Sequence, residues 1–420
     1  MKILKNFYFK KLDIYFLALF FISFLHPSLG LLFNMALLYY WTQGTPGCLK
    51  ALVFLTTRGI LNPAIASSTA FGSFRWVVIL GSSFFILINR NKILKKNNRK
   101  YSLIFLTALY FSVFVMISGV ITSSYPVTAM FKIVSFSLTF LAVIKGIAIS
   151  SSEFKCNEFF VGLYTILFGI SIAIIPFSQF RVVNDDFQGI FNHVNLFGIV
   201  GAVYLAALLH SKCAKKYTFF RNFMVVSVLV MIYLSASRTG LATAISVILI
   251  YFITNKKVIS KKIIIYLSIA IIILICFPTG ITTSLGNGIK EFLYKNNAED
   301  IWASREEIIA LYQEKYYQEP IMGTGFMVPY SRGVKDYRLN FDLMVEPGNL
   351  IWAVLGDTGI IGFFLFIVLF IVLLIHGKIR RVHLLLCAYT VCMGEMVFFS
   401  VNNMSVLLYI LIGTYVFEQD

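Results

Sequence analysis

Apolar residues fill this chain in long runs, and polar residues come as short interruptions between them. Runs of roughly 17–25 residues, apolar on every face, have the length a helix needs to cross a bilayer. They predict spans near 74–89, 102–120, 127–148, 159–178, 190–210, 219–234, 239–254, 263–279, 349–376, 383–399 and 402–417. Barrel strands would alternate over about ten residues instead. The first seventy residues allow two solutions. "LDIYFLALFFISFLHPSLGLLFNMALLYYW" is either one long span broken at Pro27 or two short ones in a hairpin. "GCLKALVFLTTRGILNPAIA" then either crosses or lies in the interface, since Lys50 and Arg58 make it amphipathic. Residues 1–420 therefore read as a single integral membrane domain. The expected fold is an all-α polytopic membrane protein with roughly 12 (12–14) transmembrane helices and one large, partly helical external loop at 280–348.

Composition agrees, with 59% apolar and 13% charged residues, against about 25% charged in an ordinary soluble domain. The formal net charge of +17 could point to nucleic acid, but its placement points elsewhere. Lysines and arginines gather in short breaks, such as Lys95, Lys96 and Lys100, then Lys212, Lys215 and Lys216, then Lys378, Arg380 and Arg381. Short basic loops stay cytoplasmic and face anionic lipid headgroups. The partners are thus membrane lipids, and no nucleic acid is expected. With the N-terminus inside, as a retained first span, either span count puts every basic cluster inside. The breaks 179–189, 235–238 and 280–348 then face outward. No disulfide framework, metal-ligand spacing, P-loop or cofactor motif is visible, so no metal and no cofactor are expected.

Candidate chemistry collects on the outward breaks. Arg181, Asn184, Asp185, Asp186 and Gln188 precede "GIFNHVNLFG". Asn192, His193 and Asn195 there fit helix capping or interhelical bonds, and equally a polar site at membrane depth. Arg238 in "YLSASRTGLA" is an outward Arg against the inward trend of the short loops. Snorkelling explains it, and so does a phosphate contact suited to its planar fork of donors. In the long loop, "WASREEIIALYQEKYYQEPIMGTGF" predicts an amphipathic helix stopped by Pro320. Arg305 in its first turn opposes the helix dipole, which hints at an anionic partner, while Arg332, Lys335 and Arg338 read as a solvated face. At the loop's end Glu346 and Asn349 stand where the chain re-enters the membrane. Asp357, further in, is either a general base or a cap.

Four pieces, "QGIFNHVNLFG", "SASRTG", "SREEIIALYQEKYYQEPIMGTGF" and "EPGNLIWAVLGDTGIIG", follow one another in this order. Together they resemble the O-antigen ligase/polymerase superfamily, including the Wzy-type surface-polysaccharide polymerases, over roughly residues 180–365. The resemblance implies a metal-independent, inverting glycosyltransferase of the bacterial cytoplasmic (inner) membrane, with its active site facing outward. Its donor would be a polyprenyl-diphosphate-linked oligosaccharide. Flippase and chain-length regulator proteins are candidate partners. Arg238 matches the family's Arg in "S-x-S-R" and is the first candidate for diphosphate contact, with Arg305 of the loop helix second. Asn192, His193 and Asn195 match its "H-x-N" element.

Two slots depart from the pattern. Gln188 stands where many relatives carry a basic residue, with Arg181 the nearest Arg. Gly348 stands where many carry His, which makes Glu346 the first candidate for the base and His193 the second. The missing loop His favours a repeat-unit polymerase over a ligase acting on lipid A core. A lipid-linked glycan flippase is the third reading. Sparse intramembrane charge (Arg75, Lys132, Lys145, Asp357, Glu395) and the absence of an evident repeat weigh against it.

Overall fold

The computed structural model describes residues 6–61, 73–89, 93, 95–177, 186–255, 303–340, 343 and 348–418. The expected span at 263–279 and the first part of the expected external loop lie outside them. Among the described residues the regular elements are helical, joined by one isolated antiparallel bridge between Leu61 and Phe191.

The N-terminal region resolves into α1 (Lys11–Ile22), α2 (Pro27–Leu37) and α3 (Gly44–Ile60). The break falls at the predicted proline. His26 caps α2, its Nδ1 accepting from the Ser28 amide, and Pro27 occupies the first helical position, where no amide is needed. Thirteen of the seventeen residues of α3 are buried. Its two cations, which argued for an interfacial helix, turn inward. Lys50 pairs with Asp13 at 2.5 Å, and Arg58 donates to the Ser23 hydroxyl at 2.9 Å and stacks over Phe24. An amphipathic-looking sequence is here an interior helix whose charges are matched by α1 and the turn after it.

The remaining elements follow the apolar runs. They are α4 (Phe74–Ile88), α5 (Lys95–Thr122), α6 (Pro126–Ser150), α7 (Cys156–Ala173), α8 (Val194–His210), the short α9 (Lys212–Lys216), α10 (Thr218–Leu234) and α11 (Arg238–Thr254). The loop helix α12 (Ala303–Gln318) comes next, then α13 (Leu350–His376), α14 (Val382–Cys392) and α15 (Ser405–Phe417). Among the described residues, four helices are long and apolar enough to cross a membrane, within α5, α6, α7 and α13. Outward faces carry large apolar side chains, such as Tyr110 and Ile117 on α5 and Phe364 and Ile375 on α13, as a lipid-facing surface does. The described residues are thus all-α and carry several candidate spans of a membrane protein.

One expected span is shorter than its apolar run. The run at 383–399 is helical only to Cys392, and residues 393–404 are irregular and mostly buried before α15 begins. An eleven-residue helix is about 16 Å long, roughly half the hydrocarbon thickness. Irregular backbone inside a membrane protein must satisfy its own polar groups or line a cavity. Here the Gly394 and Glu395 amides bond back to the Val391 carbonyl, and Tyr409 donates to the Phe398 carbonyl. Phe398 and Phe399 wedge into a ring cluster with Phe136, Phe366 and Tyr409. Aromatic packing, which a linear hydropathy pattern does not encode, has replaced helix.

The loop closes over a break in α13. Gly359 has φ +64°, and a Cβ there would lie 2.3 Å from the Ile321 carbonyl oxygen. That break frees backbone groups, and the turn after α12 satisfies them. Ile360 donates to the Pro320 carbonyl, while the Thr324 and Gly325 amides donate to the Gly356 and Asp357 carbonyls. Lys315 of α12 pairs with the buried Asp357, whose other oxygen accepts from the Met327 amide. Lys132 of α6 holds the same loop through the Met327 and Leu343 carbonyls.

Candidate active site

The site is built where three distant stretches meet. In the first, residues 187–192 are pinned on both sides, Phe187 donating to the Leu234 carbonyl and Asn192 to the Ile60 carbonyl. His193 is extended and caps α8, its Nδ1 accepting from the Asn195 amide at 3.1 Å. In the second, Ser237 caps α11, its Oγ accepting from the Gly240 amide at 3.3 Å and lying 3.4 Å from the Asn195 carbonyl. The two helix ends touch through main chain. A Cβ on Gly240 would lie 2.5 Å from the Gly198 carbonyl carbon, and one on Gly198 would lie 2.2 Å from the Ser237 hydroxyl.

The third stretch is the irregular segment after α14. A Cβ on Gly394 would lie 2.1 Å from the Thr239 hydroxyl, so this backbone rests on the residue after Arg238. Glu395 Oε1 then lies 3.4 Å from Asn195 Nδ2. The first and third of these stretches line a half-open pocket of about 210 Å³, room for more than one water. Asn192, His193, Asn195, Glu395 and Asn403 supply its polar lining, and Leu196, Ile199 and Val397 its apolar lining.

Arg238 is the first residue of α11, half-buried between the two glycine contacts. A cation at a helix N-terminus opposes the dipole, and the first-turn amides add to its field. The combination offers an anion both a guanidinium and a positive helix end.

Of the residues singled out by sequence, Asn192, His193 and Asn195 come together in the cavity, with Arg238 at its neighbouring helix end. Gln188 lies in the turn before them, its carbonyl accepting from the Phe191 amide. Asn349 is elsewhere and caps α13, its Oδ1 accepting from the Ile351 and Trp352 amides. Arg181 and Glu346 lie outside the described residues, as does the Arg305 side chain, although the Arg305 backbone belongs to α12. Asp357 is consumed by its pairing with Lys315. On the solvated loop, hydrogen bonds from Arg338 hold the Asp336 carboxyl below its usual range. Glu395 and Asn403 were not singled out as site residues. The available signal was a polar scatter (Glu395, Ser400, Asn402, Asn403) inside a run otherwise fit to span.

No curated protein matches the chain. Residues 223–367, from within α10 through the first turns of α13, match a family model described as O-Antigen ligase. That match supports the chain's place in the O-antigen ligase/polymerase superfamily.

Proposed function

We propose that the protein is a polysaccharide repeat-unit polymerase (O-antigen, capsule or exopolysaccharide). It is a metal-independent, inverting glycosyltransferase that moves a glycan from a polyprenyl diphosphate carrier to a hydroxyl of another lipid-linked unit. It works at the outer face of the bacterial cytoplasmic membrane in a fold of about twelve spans, with one large external loop. The observation that carries this reading is the close contact of the "HVN" and "SRTG" helix ends beside a polar pocket that the first of them lines.

The chemistry follows from charge. The departing lipid diphosphate gains negative charge as its bond to the anomeric carbon lengthens, and fixed donors stabilise it without reorganising. Arg238 at the N-terminus of α11 takes that role, with Arg305 second and Arg181 a further cation of the outer face. Asn192 and Asn195 orient the sugar, with Gln188 in the turn beside them. A base must take the acceptor's proton, and Glu346 and His193 are the two candidates read from the sequence. A ligase would share this chemistry and differ in its acceptor. The matching family model is described by the ligase reaction, and Gly348 in the slot of the loop His favours the polymerase.

The test is purified protein in nanodiscs with a polyprenyl-diphosphate-linked oligosaccharide and chelator present. A ladder of lipid-linked products spaced by one repeat is the expected result. A single transfer seen only when lipid A core is added would make the protein a ligase. No transfer to either acceptor would remove the glycosyltransferase reading.

A further inference from the structure

We infer that Glu395 is the general base of the transfer, a role that rests on the proposed glycosyltransferase reading. Three observations lead there. Among the described residues, Glu395 is the carboxylate that lines the cavity shared by Asn192, His193 and Asn195. Its backbone is seated by the Gly394–Thr239 contact, which ties it to the helix end that begins with Arg238. It also stands on an irregular segment just past the end of α14, where the chain lines a cavity instead of continuing as helix.

The local geometry also discriminates against His193. Its Nδ1 lone pair accepts the Asn195 amide, so the neutral ring carries its proton on Nε2. That tautomer presents a donor to the cavity, and His193 could accept a proton only by giving up the helix cap. It is suited to hydrogen-bond a substrate oxygen. A carboxylate offers about four acceptor sites on two oxygens, so a partner such as Asn195 does not bar Glu395 from also accepting from a hydroxyl. Asn195 acts as a positioning residue, fixing the carboxylate from the first turn of α8.

The step balances within these groups. Glu395 takes the proton of the acceptor hydroxyl as that oxygen bonds to the anomeric carbon. The bond from that carbon to the diphosphate oxygen breaks, and its electron pair leaves with the polyprenyl diphosphate, whose charge Arg238 meets. Attack from the face opposite the leaving group gives inversion. The proton then passes from Glu395 to solvent or to the released diphosphate, restoring the base.

The experiment compares wild type with Glu395→Gln and Glu395→Asp in the ladder assay. Each is followed across pH, with donor binding measured separately on fluorescent lipid-linked oligosaccharide. Glu395→Gln is expected to slow transfer by about 100-fold or more, to bind donor within a factor of about three, and to lose the acidic limb of the rate profile. Glu395→Asp keeps that limb at a reduced rate. A Glu395→Gln protein that transfers at the wild-type rate, or one that slows but keeps the acidic limb, overturns the assignment. So does loss of donor binding and thermal stability in both variants together, which marks a structural carboxylate. A wild type that builds no ladder and transfers to no acceptor fails at the earlier step, the glycosyltransferase reading itself, and takes this role with it.

Discussion

Asp357 and Glu395 are both carboxylates embedded in apolar sequence, each beside a glycine, and they end in opposite surroundings. Asp357 is sealed. One oxygen meets Lys315, the other meets the Met327 amide, and the helix break beside it is filled by the turn at 320–325. Glu395 lines a cavity with three other polar residues from α8 and the turn before it, and with Asn403. The two regions use the same materials, glycines at close backbone contacts and polar groups at helix ends. In one, the carboxylate and the main-chain groups around it hold the turn after α12 to α13. In the other, polar groups are presented to a volume. An embedded carboxylate marks a site only where packing leaves a space in front of it, and that distinction is three-dimensional.

The contrast predicts different modes of failure. The largest effect is expected at Arg238. Replacing it with Ala should reduce polymer by about 100-fold or more, the cost of losing a fixed donor at a developing anion. Thermal stability and membrane insertion should stay intact. Arg238→Lys should recover little, because a single ammonium cannot reproduce a planar two-pronged contact. Wild-type polymer from Arg238→Ala would end its proposed role, and an unfolded variant would move Arg238 into the structural class with Asp357.

At Asp357 the order of effects should reverse. Asp357→Leu strands a buried ammonium, a change that costs about 3–5 kcal/mol, and the melting temperature in detergent should drop. Activity should fall only as the folded fraction does. The double variant Lys315→Met/Asp357→Leu should recover most of that stability, since a matched apolar pair replaces the ion pair. A double variant as unstable as the single one would show that Asp357 acts mainly through the Met327 amide. Normal stability with lost activity in Asp357→Leu would erase the contrast by making Asp357 part of the chemistry.

The smallest effect is expected at His193. His193→Ala removes a helix cap, worth about 1 kcal/mol or less, and a hydrogen-bond donor of the cavity, so ladder formation should slow less than tenfold. A loss as deep as that of Glu395→Gln, together with loss of the acidic limb, would transfer the base to His193.

Much of this was legible along the chain, for physical reasons. A uniformly apolar run in a membrane has few alternatives to helix, so α4, α6 and α13 begin and end close to where hydropathy alone puts them. His193, Asn195 and Arg238 stood out because each breaks an apolar or charge trend at a turn between apolar runs. The segment 393–404 did not, because its departure from helix is decided by phenylalanines finding rings on α6, α13 and α15. Asp357 stood out in the sequence, but its pairing with Lys315 follows from how the loop folds back. The inward turn of Lys50 and Arg58 likewise depended on partners in a different helix and turn.

Where Gly198 meets Gly240, two main chains touch with no side chain between them. A spacer made of side chains breathes as rotamers hop, whereas a joint of bare peptide has a single thickness. The spacing of the helix ends that carry Asn195 and Arg238 is therefore set like the throat of a fixed jaw, by the contact distance of two rigid backbones. Side chains around that joint can be exchanged while the two helix ends keep the same spacing.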